Sequence, residues 1–332
     1  MGFLFSKKHN CRHCISFKNI TFVIVMKKLM SYILLLTALL GCNTGIESTK
    51  KITEKDVKKA LAQVGQSTSQ PFLTINDDSV ATWHVGKQFF VTDDQVKLIF
   101  NRSTQYNIDS LLLAGKSLIY QGYSIDNKID NTQNVVLNFS LDNLSFCYST
   151  GKPLDKLSPR FTMPFLIDKD LVSRVNSQLQ GKEFYIKTHI WYDLTTQEML
   201  DGKQYVKVKV DSVLPGNKVL PLRVIFTDGA SGLRAFVWMA AGASTLMSRD
   251  FTSLFSLHDL HNDYPAITPE NWAHIERCEI VDEMTKEECR LAKGTPKSIS
   301  QQPDQSGLRE YWYYDDGTYL FFQDGKLKSF KR

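Results

Sequence analysis

The sequence predicts an α+β chain that is predominantly β, and three observations carry that expectation. Aromatic residues make up 11% of the 332 residues, and aromatic-rich chains with few long helical periods suit pleated surfaces. Short runs of alternating apolar and polar residues recur through the middle of the chain, entered at Gly86-Lys87, Gly115-Lys116, Gly181-Lys182 and Gly202-Lys203. The clearest helix start and stop signals, by contrast, gather after residue 267.

Taken in order, residues 1–25 read as an upstream extension and Met26 as the start of translation. Met26 is followed at once by Lys27, Lys28 and an uncharged run over residues 29–41. A charged head, a short apolar stretch and a small residue before the cut make residues 26–41 a secretory signal. The run falls short of the roughly 20 apolar residues that span a bilayer. Cys11-Arg12-His13-Cys14 lacks the second cysteine pair of a zinc site. The closing Leu39-Leu40-Gly41-Cys42 resembles the lipobox of bacterial lipoproteins. That resemblance implies diacylglycerol on the Cys42 thiol, and so a protein lipid-anchored in the cell envelope, most naturally on the outer membrane facing the periplasm. Two or more acyl chains hold a protein stably on a membrane.

Removing the leader changes the charge argument. Residues 1–41 hold six basic residues and no acidic one, which leaves 34 basic against 35 acidic in the remainder. The formal net charge of +5 therefore belongs to the leader and is no footprint for nucleic acid. Beyond Cys42, only Cys147, Cys278 and Cys289 remain. Cys278 and Cys289 could pair, but buried free thiols are the commoner fate, and no structural disulfide is expected.

Residues 42–70 read as a polar tether with a short amphipathic helix started by Thr53 and Asp56. Two β-rich units follow, over residues 71–152 and 171–248, joined by a connector over 153–170 that contains Pro153, Pro159 and Pro164. The units read as a duplication. Gly115 precedes Phe139 by 24 residues, Gly202 precedes Phe226 by the same 24, and both phenylalanines end similar apolar runs. In each entry the glycine frees the backbone, the lysine faces water, and the following aromatics pack inward. Pro215-Gly216-Asn217 and Asp228-Gly229 mark hairpin turns in the second unit. In length and strand count each unit resembles a bacterial SH3-like barrel, which implies two small barrels and a possible peptidoglycan or peptide ligand.

A loop-rich bridge over residues 249–267 leads to a last module over 268–332. Thr268-Pro269-Glu270 starts one helix, with Trp272, Ile275 and Ala273 on its buried side. Thr285-Lys286-Glu287-Glu288 is a capping box, and Gly294 with Pro296 ends that second helix. Strands are expected over 297–300, 309–314 and 318–323, an α-α-β-β-β order, with a last strand over 326–330 after the Asp324-Gly325 hairpin. Met284-Thr285, Gly294-Thr295-Pro296, Trp312, Tyr314, Phe322 and Gly325-Lys326-Leu327 resemble the SmpA/OmlA-type module. This is a lipoprotein fold of the outer-membrane assembly machinery, related in shape to β-lactamase inhibitor protein. The resemblance implies two helices on a small antiparallel sheet and a role in protein contacts without catalysis. Glu283 stands where that family has glycine, so the turn there is expected to be made differently.

Catalytic grammar is sparse. His258, His261 and Asp263 form the one cluster with metal-ligand residue types, but Asn262 and Tyr264-Pro265 argue for a loop of surface polar residues and no fourth ligand is placed by spacing. Gly229-Ala230-Ser231-Gly232 lacks nucleophile-elbow spacing. No catalytic residue, cofactor site or metal site is assigned. Asp78-Ser79-Val80, Asp109-Ser110-Leu111 and Asp211-Ser212-Val213 resemble an O-glycosylation acceptor motif of some Gram-negative lineages. Tyr311, Tyr313 and Phe321 are the expected outward residues of the last module, an interaction patch if exposed. The expected function is a non-catalytic envelope lipoprotein serving protein interaction or outer-membrane maintenance. The alternative is a cell-wall glycan binder using Trp83, Trp191 or Tyr192 of the SH3-like units.

Overall fold

The computed structural model describes residues 72–73, 78–102, 106–127, 133–159, 161–241, 249–304 and 307–331, all within one compact unit, Pro71–Arg332. Cys42, the signal, the tether and its expected helix lie outside the described residues. Three antiparallel sheets and a few short helices make the fold α+β and mostly β. No helix among the described residues is long and apolar enough to cross a membrane.

The first sheet contains β1 (Gln88–Val91), β2 (Ser117–Asn127), β3 (Gln133–Leu141), β4 (Leu144–Ser149) and β5 (Leu166–Asp168), in the order β4-β3-β2-β1-β5. Helix α1 (Lys169–Leu179) follows directly, capped by the Asp168 carboxylate, which accepts from the Asp170 amide. The second sheet contains β6 (Glu183–Ile186), β7 (Ile190–Tyr192), β8 (Met199–Asp201), β9 (Val206–Pro215), β10 (Leu222–Asp228) and β11 (Arg234–Met239). After the short helix α2 (Phe251–Leu254), β12 (Phe255–Ser256) closes the order β12-β6-β9-β10-β11-β7-β8. Both sheets are open at both ends, so the expected closed barrels are not formed among the described residues. The expected connector is not a free linker, since β5 within it pairs with β1. The expected bridge likewise supplies β12, which pairs with β6. Short strands returning to an edge satisfy backbone groups that would otherwise be unpaired.

The duplication is present in the strand pairing, and it is more detailed than the sequence suggested. β4-β3-β2-β1-β5 corresponds to β11-β10-β9-β6-β12, with the β7–β8 hairpin added at one edge. Phe89 faces Leu118 as Phe184 faces Val208. Tyr120 faces Phe139 as Val210 faces Phe226, and the next residue, Gln121 or Asp211, is the extra residue of a β-bulge in each copy. Phe139 and Phe226 are therefore equivalent, as expected. Gly115 and Gly202 are not. The amide of Gly115 (φ 80) donates to the Val91 carbonyl at 2.9 Å, and the residue making the same bond in the second copy is Tyr205, at 2.5 Å to Ile186. Tyr205 holds φ 61, so the left-handed turn is kept without the glycine. Gly202 meets a different need, because a Cβ there would sit 2.2 Å from the Trp191 ring.

The apolar sides of the first sheet and of the second sheet with α1 enclose separate cores. Phe89, Leu118, Tyr120, Leu137, Phe139 and Phe146 build the first. Val172, Val175 and Leu179, one helical face of α1, pack with Phe184, Val208, Val224 and Phe226 in the second.

A third core belongs to the C-terminal module. Helix α3 (Pro269–Glu276) begins at Thr268, whose hydroxyl accepts from the Asn271 amide, and it buries Trp272 and Ile275 as expected, with Ala273 half-buried. Helix α4 (Lys286–Lys293) has the full capping box between Thr285 and Glu288 and ends at Gly294 (φ 89). Its sheet, β13 (Ser298–Asp304), β14 (Gly307–Tyr313), β15 (Tyr319–Gln323) and β16 (Lys326–Lys331), is a four-strand meander, the three strands of the α-α-β-β-β order and the last strand expected after the Asp324-Gly325 hairpin. Glu283 does not make its turn differently from a glycine. It adopts φ 66, its amide donates to the Leu327 carbonyl at 2.8 Å, and its carboxylate meets Lys328 at 2.6 Å. The module docks on the second sheet through Gln204, whose buried amide donates to the Ile275 and Leu291 carbonyls, both at 2.9 Å.

Candidate functional site

Strand alternation sorts the C-terminal sheet into two faces. Trp312, Leu320, Phe322 and Leu327 are fully buried against the helices, so Tyr311, Tyr313 and Phe321 point to the other side. Tyr311 lies opposite Phe321, and their rings stack at 4.9 Å with planes 27° apart. Tyr313, opposite Tyr319, is 46% exposed. The flanking strands add Ser298 and Ser300 on one side and Ser329 and Lys331 on the other. The three expected surface residues therefore share one aromatic, hydroxyl-rich face, with Tyr311 and Phe321 half-buried by their own stacking.

The aromatics proposed for glycan contact fare differently. Trp191 is buried, its ring edge-on to Phe226 and its indole N–H given to the Thr188 carbonyl at 2.8 Å. It offers no surface, because Gly202 lets the chain pass directly against its ring. Trp83 and Tyr192 are half-buried, Trp83 against Phe89 and Tyr120, Tyr192 stacked on Phe236.

The histidine cluster is not assembled. His258 Nε2 lies 3.0 Å from Asp263, while His261 turns to Asp259 at 2.6 Å and packs against Trp272 with ring centroids 4.0 Å apart and planes tilted by 37°. No group of three or more metal-ligating side chains is arranged to hold an ion among the described residues. Ser231 sits in the β10–β11 hairpin with Asp228, as a turn residue. Cys147, Cys278 and Cys289 are free thiols, and burial pushes Cys278 up to about 11 and Cys289 up to about 12, so neither is poised as a nucleophile.

One charged cluster escaped sequence reasoning. Lys87, expected to face water, is 2% exposed. Its ammonium lies 2.9 Å from Asp168, 2.9 Å from Asp170 and 3.5 Å from Asp78, and Arg174 reaches Asp78 at 3.1 Å. Burial works against the charged form, and the hydrogen bonds and charges of Asp170 and Asp168 more than offset it, holding the ammonium above its usual range. The cluster fastens β1 to the start of α1, which is where the first unit meets the second. Its equivalent, Lys182, is exposed, 4.8 Å over the Phe72 ring. The two Gly-Lys entries are alike in sequence, and the nearest partners of Lys87, Asp168 and Asp170, lie in a distant segment at the head of α1, so the entry itself does not announce the difference.

Compared with known proteins, the chain matches no family model, no curated protein and no solved structure.

Proposed function

We propose that this protein is an envelope lipoprotein, anchored through a lipid on Cys42, that acts without catalysis as a protein-interaction or outer-membrane maintenance factor. The observation that carries this is the Tyr311/Tyr313/Phe321 face, an aromatic surface on a sheet whose opposite side is already committed to the core. Two capped helices against an antiparallel sheet support the SmpA/OmlA-like reading of this module. A photo-crosslinking residue at Tyr313 in intact cells is expected to give a discrete adduct, and one at the exposed Ser177 of α1 is expected to give none. No adduct at Tyr313 would sink the interaction role of this face.

A second reading gives the two duplicated β units a cell-wall glycan. The half-exposed rings of Trp83 and Tyr192 favour it, while the burial of Trp191 removes one of its three aromatics. Co-sedimentation with purified peptidoglycan that is lost in Trp83→Ala would move the function from the C-terminal face to these units.

A further inference from the structure

Between the two units lies an open cavity of about 150 Å³. Trp83, Phe161, Met163 and Leu166 line it from the first unit, and Leu171 and Pro221 from the second. Its rim carries Asp78, Asp168 and Arg174, three members of the cluster around Lys87. We propose that this cavity binds a single apolar side chain of a partner peptide, held with its backbone against the polar rim.

Size decides first. Sites for whole small molecules usually run to roughly 300–1,000 Å³, and this one is smaller, the scale of one anchoring side chain in a protein contact. Lining decides second, because aliphatic and aromatic walls gain nothing from a polar occupant. The rim decides third. Arg174 keeps a buried Nε–H with no partner among the described residues and Asp78 and Asp168 are acceptors, the two complements that the C=O and N–H of a neutral peptide group require, whereas the carboxylate of an acyl chain would pair with Arg174 only while facing the like charge of both aspartates. Rigidity decides last, since the salt-bridged Lys87 beneath the rim fixes Asp168 and Asp78 in place, and a preformed pocket spares the cost of ordering on binding. The site is separate from the aromatic face of the C-terminal sheet, and either can fail without the other.

The test uses the Cys42→Ser protein with its tryptophans labelled for NMR. The sequence has five tryptophans, and Trp83 is the one in the cavity. Titration with N-acetyl-leucinamide is expected to shift the Trp83 indole signal saturably. N-acetyl-serinamide should bind ~10-fold more weakly, the loss set by an unburied apolar side chain. Thr162→Phe, at the exposed rim, should plug the cavity and abolish the shift while the other indole signals stay in place, and Leu171→Phe is an independent plug. An unmoved Trp83 signal, an equal response to the serine amide, or a response that survives both plugs would overturn the proposal. A stronger response to octanoate than to the leucine amide would also overturn it, and would assign the cavity to an acyl chain.

Discussion

Lys87 shows how much a single side chain can hold. An ammonium that is 2% exposed is tolerated because carboxylates from two segments reach it, Asp78 before β1 and Asp168 and Asp170 at the head of α1. Lys87→Met would leave those carboxylates facing one another and is expected to cost about 3 kcal/mol, the low end for breaking a buried pair because the partners keep some water. Urea denaturation measures it, and an unchanged midpoint would mean the cluster is solvated in solution. The raised ammonium pKa places its contribution below the ordinary 10.5, to be lost only as pH rises through the higher folded value. Glu288 works in the opposite direction. Burial disfavours its charge, but bonds from the Thr285 amide and Asn271 outweigh that and hold the carboxyl below its usual 4.5. Its contribution is therefore present above pH 4.5 and is lost as pH falls through the folded value. Glu288→Gln should flatten the acid limb of a Tm-against-pH curve, and an unaltered limb would contradict that role.

The elements expose the limits of reading glycines. Gly202 resembled the repeat entry at Gly115, yet its role is to leave room for Trp191. Gly202→Ala is expected to destabilise by about 2–3 kcal/mol through overpacking, visible as a lower Tm with loss of near-ultraviolet tryptophan ellipticity. Gly115→Ala costs less, since no atom lies within 4 Å of the added carbon and only its left-handed backbone resists. Tyr205 and Glu283 take that backbone conformation without being glycine, at a cost of roughly 1–2 kcal/mol each for a side chain. Tyr205 offsets it by packing on the third core, its hydroxyl 3.3 Å from the Leu291 carbonyl and its ring against Trp272. Glu283 has only an exposed ion pair with Lys328, which contributes little. Glu283→Gly should therefore stabilise the protein by about 0.5–1 kcal/mol, and a loss of stability would show that the ion pair matters more than the backbone. These contrasts explain why the α3 and α4 caps were legible from the sequence while the repeat was misaligned. A cap is written in four consecutive residues, but a left-handed turn can be met by any residue whose surroundings compensate.

For the whole molecule, the duplicated sheets and the docked C-terminal module form one unit, Pro71–Arg332, and the proposed lipid on Cys42 would tether it. Cys42→Ser is expected to move the protein from the membrane to the soluble fraction on fractionation of cells. A wild-type protein already found soluble would contradict the anchor.

The sequence by itself determined the mostly β character, both C-terminal helices with their caps, the hairpins at Pro215-Gly216-Asn217 and Asp324-Gly325, and the outward trio Tyr311, Tyr313 and Phe321. Each of these is set by alternation or by turn chemistry within a few residues. Only the tertiary structure decided that the sheets stay open, that Trp191 and Lys87 are buried, that Tyr205 takes the place of Gly115, and that a cavity lies between the units. Those features depend on contacts between segments tens of residues apart, where burial and charge pairing override what the local residues would otherwise do.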